Sequence, residues 1–226
     1  MSFDREEFVA ACQRAAAGSD PAEGVREVVE AAIQQGTAID ETLGTKLTGE
    51  ADTLFCSDEL TVQRIIWPGG SASPPHDHRM WAVVGVYAGR EVNTLFDRRD
   101  RVISANREVP IDAGSVLTLP ADAVHAVRNP DRQWTAGLHV YGGDIIDVER
   151  SAWLPDGSHA PQREVAAQRR LMVQAMLDLA TEAGEQISDE RRFVALTALW
   201  RAAERAGRNL TTDEAREVVA TAWTVQ

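Results

Sequence analysis

The feature that most constrains the fold is a change of hydrophobic period near residue 46. From there to about residue 150 the chain consists of short apolar runs separated by Gly, Pro, Asp and Asn clusters. The runs that predict strands are TVQRIIW, WAVVGVY, EVNTLF, RVISANREV, SVLTL and TAGLHVY. Many short strands close into a barrel with a ligand-sized mouth. We therefore predict a mainly β fold with its barrel over residues 46–150.

Helical patterns flank this region. Residues 1–45 are predicted to form an N-terminal helical segment, whose second helix begins after Asp20 as N-cap and ends near Gly36. Residues 151–226 are predicted to form a C-terminal helical extension. In that extension Ser188 precedes one helix, and a capping box at Thr211-Thr212-Asp213-Glu214 begins the last.

A further C-terminal helix is predicted from Pro161 to Gly184. The apolar stripe along these helices indicates core packing or a dimer face, so they either cover the barrel or mediate self-association as a homo-oligomer. That stripe consists of Leu171, Met172, Met176, Leu177, Phe193, Leu196, Leu199 and Trp200.

Composition excludes several functional classes. The 226 residues are 44% hydrophobic, which is enough for a packed core, and the net charge of -12 argues against a nucleic-acid surface. No apolar run approaches the roughly eighteen residues of a membrane span, and the charged start MSFDREEF argues against a signal peptide. Cys12 and Cys56 lie in unrelated segments, as reduced thiols do. We expect a cytoplasmic protein without a membrane or nucleic-acid partner.

Three of the five histidines indicate a metal centre. His76 and His78 are separated by one residue, and alternate side chains of a strand share a face. His125, from a distant strand, can complete a facial metal site. A single histidine in such a strand is more often a hydrogen-bonded structural residue, so the prediction depends on all three together.

The segments around these histidines follow the two cupin motifs. The first motif is matched by Gly70, His76, His78 and Gly89, and the second by Gly114, Pro120, His125 and Asn129. The chain thus resembles the cupins, which implies a double-stranded β-helix, or jelly-roll barrel. The usual cupin glutamate ligand is replaced by Ala82 or Val83, so three histidine ligands remain.

Within the cupins, the segment HDHRMWAVVG is similar to the HDH-x-x-W-x-x-V-G segment of bacterial thiol dioxygenases. The resemblance covers about residues 50–145. It implies Fe(II) on three neutral histidines, with O2 and a small thiol as substrates and a sulfinate as product. Zinc, nickel, manganese and cobalt also suit three histidines.

A later segment, GLHVY, places His139 and Tyr141 on one strand face. In thiol dioxygenases this stretch reads Ser-x-His-x-Tyr, which implies that His139 orients the Tyr141 hydroxyl toward substrate and oxygen. Gly137 stands at the serine position. The alternative is a core tyrosine with a histidine partner.

The family arginine that anchors a substrate carboxylate has no counterpart, since ADTLFCSDELTVQRIIW lacks the Tyr-x-Arg pattern. Alternation does not fix which way Arg64 faces, and Arg79 is expected to point away from the metal. Two other functions therefore stay open. One is a cupin dioxygenase that cleaves a carbon–carbon bond in a diketone-like substrate, and the other is a non-catalytic module that binds a small ligand.

Overall fold

The computed structural model describes residues 2–44, 51–154, 157–161, 174, 177–182, 184, 187–206, 208 and 210–224. The helices are α1 (Arg5–Ala16), α2 (Pro21–Ile33), α3 (Gly36–Leu43), α4 (Asp189–Ala206) and α5 (Thr212–Thr224). The strands are β1 (Ala51–Cys56), β2 (Thr61–Trp67), β3 (His76–Asp77), β4 (Ala82–Ala88), β5 (Arg90–Arg99), β6 (Val102–Asp112), β7 (Ser115–Leu119), β8 (Val124–Arg128), β9 (Thr135–Tyr141), β10 (Ser151–Trp153) and β11 (His159–Pro161).

Two antiparallel sheets form the barrel. One has the strand order β1-β2-β9-β4-β7, and the other has the order β11-β10-β3-β8-β5-β6. Strands distant in sequence alternate within each sheet, as in a double-stranded β-helix, so the predicted cupin fold is confirmed. All six predicted strand runs form. The second sheet continues past residue 150 through β10 and β11, where the sequence predicted only helix.

The N-terminal helices cover the outer face of the first sheet. Asp20 caps α2 as predicted, by accepting a hydrogen bond from the Glu23 backbone N–H at 3.4 Å. The helix ends at Ile33, and Gly36 begins the separate helix α3. At Gly85 on β4, an added Cβ would lie 2.4 Å from Cγ1 of Val29 on α2. The bare backbone of Gly85 therefore lets α2 lie directly on the sheet.

Strand β9 divides its side chains between the two faces of this sheet. Leu138 and Val140 are fully buried in the core beneath the N-terminal helices. Gly137, His139 and Tyr141 alternate with them and face the barrel interior. Alternation along β9 thus places the core side chains on one face of the sheet and the candidate functional side chains on the other.

The C-terminal helices α4 and α5 pack on each other around a small core of their own, which includes Leu199. Ser188, which precedes α4 as the sequence predicts, accepts a hydrogen bond from the Arg191 backbone N–H at 3.2 Å, and the predicted capping box at Thr211 forms. Helix α4 meets the barrel through an ion pair between Glu190 and Arg132 at 2.7 Å, and the Arg132 guanidinium lies over the ring of Phe193.

The predicted apolar stripe is only partly described. Leu199 is 1% exposed and Leu177 is 41% exposed, while Phe193, Leu196 and Trp200 are half-buried. Leu171, Met172 and Met176 lie outside the described residues. Pro161 lies in β11, and most of the helix predicted after it also lies outside them. Within the described part of the chain, no helix has the length and apolarity to cross a membrane.

Candidate metal centre

The three predicted ligand histidines meet inside the barrel. His76 on β3 pairs directly with His125 on β8, and His78 follows immediately after β3. All three side chains are buried, and one ring nitrogen of each lies within 4.8 Å of the others. The Nε2 atoms of His78 and His125 are 3.2 Å apart. The sequence therefore identified a group of side chains that the fold does bring together.

The local backbone differs from the regular strand expected for His-x-His. Strand β3 contains only His76 and Asp77, and Arg79 adopts the left-handed conformation with a φ of 59°. The chain thus turns just after His78. Arg79 points outward as predicted, where it is half exposed and donates a hydrogen bond to the Ser151 hydroxyl at 3.1 Å.

Hydrogen bonds on the far side of two rings orient the histidines. Nδ1 of His76 donates to the Pro74 carbonyl at 2.9 Å, and Nδ1 of His125 donates to Oδ1 of Asn93 at 2.8 Å. Each bond fixes the tautomer, so that Nε2 is the unprotonated nitrogen of the ring. Ligand histidines in metalloproteins are held in this way.

Burial keeps two histidines of the cluster, His78 and His125, neutral. Desolvation, together with the neighbouring His125 and His76, holds the pKa of His78 well below its ordinary value. Desolvation also lowers the pKa of His125, and the neighbouring His76 lowers it further. Neutral imidazole is the form that binds a metal, so these rings need lose no proton to act as ligands.

The donor set fits a first-row divalent ion. Metal–nitrogen bonds of about 2.0–2.1 Å place two nitrogens on one ion roughly 3.0–3.4 Å apart. The 3.2 Å between Nε2 of His78 and Nε2 of His125 agrees with that spacing. Three imidazoles on one side of an ion leave further coordination positions open to ligands.

The other predicted pair comes from the opposite sheet. The hydroxyl of Tyr141 and Nδ1 of His139 form a hydrogen bond of 3.3 Å, and both side chains are buried. The Tyr141 ring stands edge-on to His78, with 5.1 Å between the ring centroids. His139 and Tyr141 therefore line the same interior as the three-histidine cluster. Burial lowers the pKa of His139 to about 3 and raises that of Tyr141.

Two inward residues of β5 were not found from the sequence. Asn93 holds His125, and Glu91 lies beside His139 with Oε1 4.0 Å from Nε2. Both β5 side chains are fully buried, and burial raises the pKa of Glu91 to about 8. The only sequence signal was the alternation of Glu and Asn in EVNTLF, which acquires meaning once β5 is known to pair with β8.

Two arginines, Arg64 and Arg150, differ in their relation to the histidine cluster. Arg64 is fully buried on the outer face of the first sheet, where it pairs with Asp52 at 3.1 Å, so it does not face the interior. The charge of Arg150 contributes to the low pKa of His78 and partly offsets the rise that burial causes in the pKa of Tyr141. Arg150 directly precedes β10, whose Ala152 pairs with the cluster residue His76.

Apolar side chains complete the interior near Tyr141. They form a cluster separate from the core under the N-terminal helices. Its buried members are Met80, Ala82, Leu119, Tyr141 and Ile145, with Leu95, Leu117, Ala123 and Val148 packed against them. This surface excludes water from one side of the site, while the histidines and Arg150 make the other side polar.

Several solved structures are similar to part of this chain. No protein-family model matches the sequence. A RmlC-like cupin protein from Methanocaldococcus jannaschii is similar in structure, with 14% identity and a TM-score of 0.36 over 42% of this chain and 81% of that one. A Bacillus halodurans protein has 20% identity and a TM-score of 0.40, over 46% of this chain and 76% of that one.

Oxalate oxidase in complex with glycolate is also among the similar structures. It has 17% identity and a TM-score of 0.34 over 38% of this chain. The chain spans only 42% of the oxalate oxidase chain. The fold and the histidine cluster of this protein are defined by its own strand register and distances.

Proposed function

We propose that the protein is a non-haem iron dioxygenase that adds both atoms of O2 to the sulfur of a small thiol. One observation carries the proposal: a cluster of three buried histidines, in which no carboxylate of the described residues takes part, faces a hydrogen-bonded histidine–tyrosine pair across the barrel. The thiol dioxygenase resemblance of the sequence agrees with this arrangement.

The reaction balances without a further reductant. A thiol and O2 give a sulfinic acid, as two S–O bonds form and the O–O bond breaks. Sulfur loses four electrons and O2 gains them. When bound, Fe(II) would supply open coordination positions for the thiolate and O2, and coordination would favour the thiolate over the thiol.

The chain's own residues then have distinct tasks. His76, His78 and His125 would hold the ion from the second sheet. Tyr141 would donate a hydrogen bond to substrate or oxygen, and His139 would orient its hydroxyl. The hydrogen bond between the two side chains and the edge-on contact of Tyr141 with His78 support these roles. The apolar cluster keeps water away from that side of the reacting atoms.

Arg150 would attract the negatively charged end of a substrate. Its charge already acts on His78 and Tyr141, the two side chains that face each other at the site. Arg64 cannot have that task, because it is buried against Asp52 on the other face of the sheet. A thiol that carries a carboxylate, such as 3-mercaptopropionate, is therefore the expected substrate class.

Oxygen consumption by the anaerobically iron-loaded protein tests the proposal. The panel consists of 3-mercaptopropionate, cysteine, cysteamine and a small diketone, with products identified by mass spectrometry and iron measured on the same sample. We expect uptake with a carboxylate thiol and formation of its sulfinate, and a large loss of kcat in Tyr141→Phe. Uptake with the diketone alone would replace the proposal by carbon–carbon cleavage. An iron-loaded protein that consumes no oxygen would favour a binding module.

A further inference from the structure

Glu91 is an unusual residue for the interior of a barrel. It is fully buried, and neither of its carboxyl oxygens has a hydrogen-bond partner among the described residues. The same holds for Nε2 of His139, which lies 4.0 Å from Oε1 of Glu91. Burying polar atoms without partners is unfavourable, because they lose their hydrogen bonds to water. These atoms can satisfy one another after an approach of about 1 Å.

Gly137 explains why Nε2 of His139 has no side-chain partner from its own strand. A Cβ added at Gly137 would lie 3.1 Å from Nε2 of His139, so this is the position from which a serine would reach the ring. The same Cβ would lie 2.9 Å from the Gly85 carbonyl oxygen, which is too close. The chain has glycine there, and Glu91 approaches the same nitrogen from the other sheet.

We propose that Glu91 is the positioning residue of His139, and that its neutral carboxyl group donates a hydrogen bond to Nε2 of that ring. With Nε2 accepting, the ring proton lies on Nδ1 and is donated to the oxygen of Tyr141 across the 3.3 Å contact. The Tyr141 hydroxyl proton then points away from His139 and is available to a molecule at the histidine cluster.

An ionised Glu91 would reverse this chain of hydrogen bonds. The carboxylate would accept from Nε2–H, Nδ1 would become an acceptor, and Tyr141 would direct its proton to His139. The protonation of Glu91 therefore decides whether Tyr141 is a donor toward the substrate.

The surroundings favour the neutral form. Burial raises the pKa of Glu91 to about 8 and lowers that of His139 to about 3. Among the described residues, the charged and titratable groups that interact with the pair are Tyr141, His76, His78 and His125, with Arg150 acting on Tyr141. At pH 7 the shared proton therefore lies on Glu91 and the ring is neutral.

The tautomer of His139 tests the inference without any turnover. Nitrogen-15 NMR of the zinc-bound protein distinguishes a protonated Nδ1 from a protonated Nε2, and His139→Gln identifies the signal. The variants are Glu91→Gln, which keeps a donor of the same size, and Glu91→Leu, which removes it. Glu108→Leu, at an exposed position of β6, is the matched control.

In the wild type at pH 6.5 and in Glu91→Gln we expect the proton on Nδ1. Raising the pH above 8 should move it to Nε2 in the wild type only. Glu91→Leu should give a mixture of both tautomers, while Glu108→Leu should match the wild type. Should Glu91→Leu fail to fold, the comparison of the wild type with Glu91→Gln across pH decides alone. A proton on Nε2 in the wild type at pH 6.5, or no change with pH, would overturn the inference.

Kinetics give a second readout, which depends on the proposed function. We expect kcat for the thiol to fall on the order of tenfold in Glu91→Leu with little change in KM, and Glu91→Gln to restore most of it. If the tautomers behave as expected but no thiol is oxidised, the role of Glu91 stands and the proposed function fails.

Discussion

At the scale of single residues, the site depends on side chains that the barrel holds in one protonation state. His78 and His125 are kept neutral by burial, and hydrogen bonds to Pro74 and Asn93 direct two rings inward. Glu91 has the opposite response to the same environment, since burial favours its protonated form. Each of these groups makes stability or activity depend on pH in a definite direction.

Glu91 should make the protein less stable as the pH rises from 6.5 to 8. Its native pKa of about 8 lies above its ordinary 4.5, so between these values the native state binds more protons than the unfolded state. The depressed pKa values of His78, His125 and His139 act in the opposite direction, and their effect fades as the pH rises above their ordinary 6.5. The contribution of Glu91 to the slope approaches about 1.4 kcal/mol per pH unit, and Glu91→Gln should remove that contribution.

Urea unfolding of the chelator-treated protein at several pH values in that window measures this slope. The chelator removes the separate pH dependence that metal binding would add. Equal slopes for the wild type and Glu91→Gln would show that Glu91 is ionised in the native protein.

Arg150 should determine the preference for a negatively charged substrate. We expect Arg150→Ala to raise KM for 3-mercaptopropionate on the order of tenfold and to change kcat less, because an attraction present in both ground and transition states is lost. Cysteamine, which carries no carboxylate, should lose no affinity. The exposed Arg99, changed to alanine, is the control. Equal effects of Arg150→Ala on both thiols would contradict a role in recognising the carboxylate.

At the scale of elements, the sequence predicted what depends on local pattern. The caps at Asp20 and Ser188 and the alternation of His139 and Tyr141 on β9 follow from neighbouring residues, and the structure has them. The short strand β3 and the left-handed Arg79 could not be read from HDHRMW, because pairing with β8 and β10 sets that geometry.

The contact between α2 and the first sheet gives a prediction at this scale. In Gly85→Ala the new methyl group would lie 2.4 Å from Cγ1 of Val29 and 2.9 Å from Cγ2 of Ile33. We expect a loss of about 1–3 kcal/mol in the free energy of unfolding, measured by urea denaturation.

A double-mutant cycle with Val29→Ala separates overlap from other effects. Removing the Cγ atoms of Val29 makes room for the methyl group, so the double variant should be less destabilised than the sum of the two single variants. Additive losses would show that α2 does not lie against Gly85.

At the scale of the whole molecule, the barrel joins residues that no local pattern connects. Glu91 and Arg150 were missed in the sequence because a glutamate on a strand and an arginine beyond the last predicted strand usually face solvent. Their places follow from the pairing of β5 with β8 and of β10 with β3. The histidine cluster could be predicted because the spacing of His76 and His78 and the motif around His125 are local sequence patterns.

His76, His78 and His125 are expected to bind one metal ion together. Iron content is measured after anaerobic loading and desalting, with His125→Ala as the variant and His159→Ala as the control, since His159 is an exposed histidine on β11. We predict about one iron per chain in the wild type and in His159→Ala, and nearly none in His125→Ala. Full iron content in His125→Ala, or none in the wild type, would contradict the account.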